Sequence, residues 1–248
     1  MSEIFSRNEM LWGEETQKLL SQKHVAVFGL GGVGGFAVEA LVRAGIGEIS
    51  IIDFDKVSKS NINRQIIALH STIGKSKAEL FETRLKDINP DLKINTYNTF
   101  YTKSLNETIF RKNIDYVVDA IDTLKSKIEL IDYCHNSNCK IITSVGAGNR
   151  LDPTELKIKD ISEIKNTKCP FVKNIIRILD KKSINRGITC VISEEKPRKN
   201  IGVKNQESIR SEDGQLMEFT KISPGSVIFV PAVAGYYMAH HVIQSITR

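Results

Sequence analysis

His24-Val25-Ala26-Val27-Phe28, then Gly29-Leu30-Gly31-Gly32-Val33-Gly34-Gly35, then Phe36-Ala37-Val38-Glu39-Ala40-Leu41-Val42, follow one another without a break. The first run is short, apolar and rich in β-branched residues, as a buried strand is, and the last has the apolar spacing of a helix lying on a sheet. Between them Gly29, Gly31 and Gly34 satisfy G-x-G-x-x-G, whose glycines allow a tight turn and a close backbone approach to a phosphate at a helix N-terminus. Alone the motif is weak; the strand before it and the helix after it supply the required context. Glu48-Ile49-Ser50-Ile51-Ile52-Asp53 reads as a second buried strand, so the unit is a parallel pair joined by a right-handed crossover. Asp53 lies nineteen residues past Gly34, at a strand end where a carboxylate can accept hydrogen bonds from ribose hydroxyls. A nucleotide with a free ribose is the expected ligand.

Outward from this unit the alternation continues. Helices are expected around Thr16 to Ser21, from Lys75 to about Ile88, near Leu105 to Phe110 and from Ser126 to Asn136. Strands are expected at Leu92 to Tyr97, Asp115 to Asp119 and Lys140 to Ser144. The fold class is therefore α/β, a Rossmann-like, doubly wound and mostly parallel sheet with a C-terminal lobe. Beyond Asp152-Pro153 the regular pattern weakens, and Glu194 to Asp213 reads as a long polar loop. The expected organisation is one domain over 1–248: a nucleotide-binding core at 1–153, a basic, flexible, substrate-facing segment at 154–225, and a C-terminal helix at 226–248 packed on the core. Ser226 to Ile243 is long enough to suggest a membrane span. Pro231, Gly235 and the pair His240-His241 would put a kink and two ionisable rings in hydrocarbon, so a helix buried in protein is expected instead. Adjacent helical histidines point about 100° apart, which makes them structural rather than a shared metal site.

With 248 residues, 41% of them hydrophobic, the chain can bury one substantial core. No charged leader with an apolar core opens it, and a cytoplasmic location is expected. Cys134, Cys139, Cys169 and Cys190 form no C-x-x-C pair, so neither a disulfide framework nor a structural zinc site is indicated; they are expected as reduced, mostly buried thiols. The net charge of +6 is concentrated, because Lys165 to Arg210 holds twelve basic and four acidic residues. Such a cluster is either a solvated surface or a face for a polyanion.

The glycine turn and Asp53 would suit NAD as well as ATP, and the following residues decide between them. Asp53-Phe54-Asp55-Lys56-Val57 leads to Asn61-Ile62-Asn63-Arg64-Gln65 and then to Gly74-Lys75-Ser76-Lys77. A triphosphate attacked at its α-phosphorus needs cations to offset its charge and the developing pyrophosphate, which Arg64 and Lys77 could supply. With Asp119-Ala120-Ile121-Asp122 at a strand end, this ordered set resembles the ubiquitin-activating-enzyme superfamily of ThiF type, densely from Phe5 to about Pro153 and more loosely in the C-terminal helix. The resemblance implies that Gly29, Gly31, Gly32, Gly34, Asp53, Asp55 and Asn61 bind the nucleotide, that Arg64 and Lys77 grip the phosphates, and that Asp122 coordinates Mg²⁺. Arg7 is similar to an N-terminal arginine that reaches an active site, often that of the partner subunit.

The resemblance is closer to the tRNA threonylcarbamoyladenosine dehydratase family. Phe5-Ser6-Arg7, Gly13-Glu14-Glu15, Asn61 to Ile66, Val118 to Thr123, and Gly146-Ala147-Gly148-Asn149-Arg150-Leu151-Asp152-Pro153-Thr154 carry it. It implies ATP-dependent adenylation of the modified nucleoside's carboxylate followed by cyclisation, with tRNA as the polyanionic partner. It also suggests a homodimer, while a sulfur-transfer protein as a further partner and a monovalent cation, Na⁺ or K⁺, near Gly146 to Asp152 are candidates that the sequence itself does not decide. Cys169, in a basic loop where a thiolate would be favoured, and Cys190, in a strand-like run, are the candidates should a thiol take part; packing is the stronger expectation for both. The alternatives are an adenylyltransferase acting on a ubiquitin-like sulfur carrier, whose usual paired C-x-x-C motifs are missing here, and an NAD-dependent oxidoreductase or nucleotide-sensing module.

Overall fold

In the computed structural model, residues 3–199, 205–210, 216–221 and 224–248 are described. The quoted stretch folds as read. β1 (His24–Phe28) is buried at every position because both faces of a parallel sheet are covered. It pairs in parallel with β2 (Glu48–Ile52), Val25 opposite Ile49, and on its other side with β4 (Tyr116–Asp119), Val25 opposite Tyr116. With β3 (Lys93–Tyr97), β5 (Ile141–Val145), β6 (Leu156–Asp160) and β7 (Thr189–Ser193), the seven strands run in the order β3-β2-β1-β4-β5-β7-β6. All neighbours are parallel except β6, which runs antiparallel to β7 at the edge. The chain moves one way from β1 to β2 and β3 and later to the other side at β4. The crevice for a ligand therefore opens beyond the carboxyl ends of β1 and β4.

Helix α1 (Ser6–Trp12) is an addition to the expected elements, whereas α2 (Glu14–Leu20), α3 (Gly34–Arg43), α4 (Lys77–Ile88), α5 (Asn106–Ile109) and α6 (Leu124–Asn136) follow the expected places within a few residues. One face of the sheet is packed with Val38, Leu41, Phe81, Leu85, Val230 and Met238, the other with Ile128, Ile131, Cys134, Val172, Ile175 and Leu179. Glu39 of α3 accepts from Arg84 Nε of α4 at 2.6 Å and from Arg43 Nε at 2.9 Å. Burial alone would raise its pKa, but these hydrogen bonds and charges outweigh it and hold the carboxyl below its ordinary value. A depressed folded-state pKa gives stability that is present above the unfolded value and lost as pH falls through the folded one. Glu39→Gln is thus expected to lower Tm at pH 7 by roughly 2–4 °C, about 1 kcal/mol at this chain length. The gap from the wild type should close in acid, as thermal denaturation at the two pH values would read.

The regular pattern does not end at Pro153. β6, α7 (Pro170–Lys181) and β7 extend the layered sheet, and α7 buries Val172, Ile175, Ile176 and Leu179, a helical stripe opposite the exposed Lys173, Arg177 and Lys181. The long-loop reading of Glu194 to Asp213 is corrected in part: Asn205–Arg210 is a strand, β8, paired antiparallel with β9 (Leu216–Lys221). Residues 200–204 and 211–213 of that stretch lie outside the described ones. A hairpin strand is legible only together with its partner, and these two polar segments show no shared alternation.

α8 (Phe229–Thr247) is the expected buried C-terminal helix, and no helix of the described residues is long and apolar enough to cross a membrane. Pro231 does not kink it: it lies in the first turn, where its missing N–H costs no hydrogen bond. α8 lies so close to α3 that a Cβ on Gly235 would sit 2.4 Å from the Val33 carbonyl oxygen and 2.9 Å from Ala37 N. The His241 ring stands edge-to-face with Tyr116 and is 3.4 Å from the Ser245 hydroxyl, a packing role.

Candidate active site

The turn after β1 is fixed by sterics. Gly29 has φ +85°, and a Cβ there would lie 2.8 Å from the Ala120 carbonyl oxygen; a Cβ on Gly34 would lie 1.8 Å from the Gly29 carbonyl oxygen. Only hydrogen fits in either place, so the turn stays folded against the end of β4 and delivers α3 with its N-terminus toward the crevice. Val33 precedes α3 and gives no side-chain cap, which leaves first-turn N–H groups for an external acceptor.

Asp53 closes the turn from the β2 side. Its Oδ2 accepts from Leu30 N at 2.6 Å and its Oδ1 from Asp55 N at 2.8 Å. Each oxygen keeps a lone pair that a ribose hydroxyl could use. Burial raises the pKa of this carboxyl, with the Lys77 charge and the two backbone donors opposing. Lys77 opens α4, and its ammonium is buried on Asp55 Oδ2 at 2.7 Å, with two further donors to spend.

Arg64 arrives from the opposite side. Its Cγ lies 3.4 Å from the place of a Cβ on Gly32, and Gln65 Nε2 lies 3.7 Å from that on Gly31. The guanidinium donates through Nη1 to the Ser60 carbonyl at 2.8 Å and to Asn63 Oδ1 at 3.0 Å. Burial pulls its pKa down, the charge of Asp122 opposing this in part. Asp122 is exposed, its recorded partner being the Thr123 hydroxyl at 3.4 Å. Asn61 Oδ1 accepts from Ser58 N at 3.1 Å in the turn that presents Arg64, leaving Nδ2 to donate elsewhere. Arg7 stands exposed on α1 and, among the described residues, has no ion-pair partner.

Four residues outside the expected set, Gln65, Asp119, Lys127 and Arg150, are buried in these elements and loops. Gln65 is buried, with Oε1 unpartnered, against the glycine turn. Below Asp122, the Asp119–Lys127 ion pair at 2.7 Å is wholly buried; both partners also bond the Thr143 hydroxyl, at 2.6 and 2.9 Å. Asp119 Oδ1 in turn accepts from Ile121 N at 3.0 Å, fixing the backbone just before Asp122. Arg150 is buried in the loop after β5. The motif signalled Gln65 by its place beside Arg64; Lys127 gave no signal, being one of several lysines on a helix.

Cys169 is not in a solvated basic loop. It is buried at the N-cap of α7, and its Sγ lies 3.6 Å from the place of a Cβ on Gly146. Cys190 is packed in β7, and burial pushes its thiol pKa up, as suits a core residue. Asp122 offers a hard, exposed carboxylate that suits Mg²⁺. Among the described residues no group of three or more His, Cys, Asp or Glu could hold a metal by itself, so such an ion would depend on phosphate oxygens for the rest of its shell.

A family model described as the ThiF family matches residues 5–248. The chain is 40% identical over 247 residues to a tRNA threonylcarbamoyladenosine dehydratase of Bacillus subtilis, covering 98% of this chain and 94% of that one. A crystal structure of the Escherichia coli tRNA N6-threonylcarbamoyladenosine dehydratase in complex with ATP superposes with a TM-score of 0.84 at 30% identity, covering 98% of this chain and 93% of that one. An adenylyltransferase and sulfurtransferase of Vanderwaltozyma polyspora is 35% identical over 148 residues, 60% of this chain and 34% of that one.

Proposed function

Because the chain belongs to the ThiF family, we propose that it uses ATP to adenylate the carboxylate of a threonylcarbamoyl-modified adenosine in tRNA and then closes the ring with net loss of water. The observation that carries the reading is a glycine turn bordered by the Arg64 stem at Gly32 and by the end of β4, just before Asp122, at Gly29, with Lys77 paired to Asp55 beside Asp53, in a chain that matches the dehydratases almost from end to end. A substrate carboxylate oxygen bonds to the α-phosphorus and the bond to pyrophosphate breaks. A nitrogen of the same side chain then attacks the acyl carbon, loses its proton, and AMP leaves with the carboxylate oxygen. The nucleophile is already tethered, so effective concentration can drive the second step without an enzymic thiol, consistent with the buried positions of Cys169 and Cys190.

In this reading the N–H groups of the glycine turn hold phosphate, Asp53 holds the ribose, and Asp55 keeps Lys77 aimed at the phosphates. Arg64 offsets charge on the departing pyrophosphate, and Mg²⁺ held by Asp122 would share that task. Residues 1–153 serve the nucleotide and 226–248 brace the turn, Pro231 Cβ lying 3.4 Å from the place of a Cβ on Gly32. Residues 154–225 meet the tRNA. α7 starts beside Gly146 at the carboxyl edge of the sheet, and Lys165, Lys168, Lys173, Arg177, Lys181 and Arg186 are exposed on and around it, a face suited to phosphates. Arg7 would complete the site of a second copy in a homodimer, and Met10 and Leu11, 82% and 87% exposed on the same helix, are apolar surface that such a copy would cover. A sulfur-transfer protein is the further partner.

Incubating the protein with ATP, Mg²⁺ and threonylcarbamoyl-modified tRNA should convert the nucleoside to a product lighter by one water, read by mass spectrometry of the digested tRNA. Tight ATP binding with no such product would count against the reading. The second reading, adenylation of a sulfur-carrier C-terminus, predicts ATP–pyrophosphate exchange stimulated by the carrier instead.

A further inference from the structure

The loop after β5, a candidate place for Na⁺ or K⁺, already contains a cation. Arg150 is 2% exposed, and its Nη1 donates to the carbonyls of Gly148 at 3.1 Å and Asn149 at 3.4 Å. The Asn149 carbonyl is also taken by Arg198 N at 3.0 Å. Asn149 Oδ1 accepts from Gly225 N at 2.6 Å, and Glu195 Oε2 accepts from Leu151 N and Asp152 N at 2.9 and 3.0 Å. Three oxygens that an alkali ion could collect from this loop, the carbonyls of Gly148 and Asn149 and Asn149 Oδ1, are therefore facing donors. The unmet group is Arg150 Nε, buried without a partner; it is a donor and calls for an electronegative atom, which a metal ion is not.

We propose that the Arg150 guanidinium is a built-in substitute for a monovalent cation, so that the loop from Gly146 to Asp152 binds neither Na⁺ nor K⁺ and the protein does not depend on them. A second positive charge about 4 Å from the guanidinium would meet repulsion worth roughly a thousandfold in binding at an effective dielectric of about 20. The guanidinium holds the carbonyls inward, as a bound ion would, and it cannot be diluted away. The inference concerns the same proposed catalytic site, but its first test needs no catalysis.

Thermal unfolding is compared in potassium, sodium and tetramethylammonium chloride at equal ionic strength. An ion that binds the folded state alone raises Tm in a saturable way. The wild type should give one Tm in all three salts, and a saturable rise specific to K⁺ or Na⁺ would overturn the proposal. Arg150→Gln, which removes the charge and frees both carbonyls, should acquire an alkali-specific rise, whereas Arg150→Lys, which keeps a cation in place, should not. A rise in the lysine variant equal to that in the glutamine variant would also overturn it, and should the glutamine variant fail to fold, the wild-type and lysine titrations decide alone. Turnover of modified tRNA should likewise be unchanged when tetramethylammonium replaces K⁺ for the wild type. Flat thermal behaviour without turnover would count against the proposed reaction and leave the built-in cation standing.

Discussion

Arg64→Ala should lower tRNA-dependent pyrophosphate release by roughly 10²–10³-fold, the usual cost of removing one preorganised group from developing charge, and Asp122→Asn should do the same. The reason for pairing them is geometric. Arg64 packs its stem on Gly32, and the backbone of Ala120 and Ile121, just before Asp122, packs on Gly29 of the same turn, so both residues border the place where, in the proposed reaction, pyrophosphate would leave. Neither is part of the core. Arg64 bonds only its local turn, and Asp122 is exposed, so each variant should unfold within about 0.5 kcal/mol of the wild type, as surface substitutions do. The loss should fall on kcat rather than on the KM for ATP, because charge on the departing group exists only in the transition state. Residues acting as a unit are not additive, so the double variant should be much less than the product of the two losses. Stopped-assay kinetics with thermal denaturation of the same samples measures both quantities. Activity within about tenfold of the wild type in either single variant would remove that residue from the phosphate-gripping role.

The core nucleotide unit was legible because its signals are local. Strand, glycine turn, helix and strand occupy thirty contiguous residues from His24 to Asp53, and each step has its own period or steric requirement. Arg64 and Lys77 were singled out on chemistry, since a triphosphate needs cations that a diphosphate does without, and their phosphate-gripping role is part of the proposal. What escaped were contacts made by distant pieces of chain. β8 needs β9 to be seen as a strand. α7 is the exception: Val172, Ile175, Ile176 and Leu179 have the spacing of a buried stripe, a local signal that reading the stretch beyond Pro153 as irregular passed over. Arg150 reads as one more surface cation until the fold closes Gly148, Asn149 and Gly225 around it. Lys127 is the extreme case: lysine is almost never fully buried unless paired, and its partners, Asp119 and Thr143, lie on two strands that only the sheet brings together.

Lys127→Met is therefore expected to destabilise the protein by about 3–5 kcal/mol, because it leaves the Asp119 carboxylate buried without its cation; at this chain length that is a fall in Tm of roughly 6–20 °C. The figure is the penalty for breaking the pair, not the worth of the pair. Replacing both partners with apolar groups can be nearly neutral, so Lys127→Met combined with Asp119→Leu should recover much of the loss, and a double variant no more stable than the single one would sink the account. The recovery also separates stability from positioning. Asp119 does more than pair: its Oδ1 holds Ile121 N at 3.0 Å, one residue before Asp122, and leucine cannot accept that bond. The double variant should regain its Tm while its kcat stays depressed, with the KM for ATP little changed, because Asp122 loses the backbone anchor that aims it. If Tm and kcat returned together, the buried pair would be a device of the core alone. If kcat alone remained low, the ion pair exists to set the loop at the end of β4, which explains why the fold tolerates a charge in a place where an aliphatic side chain would serve stability as well.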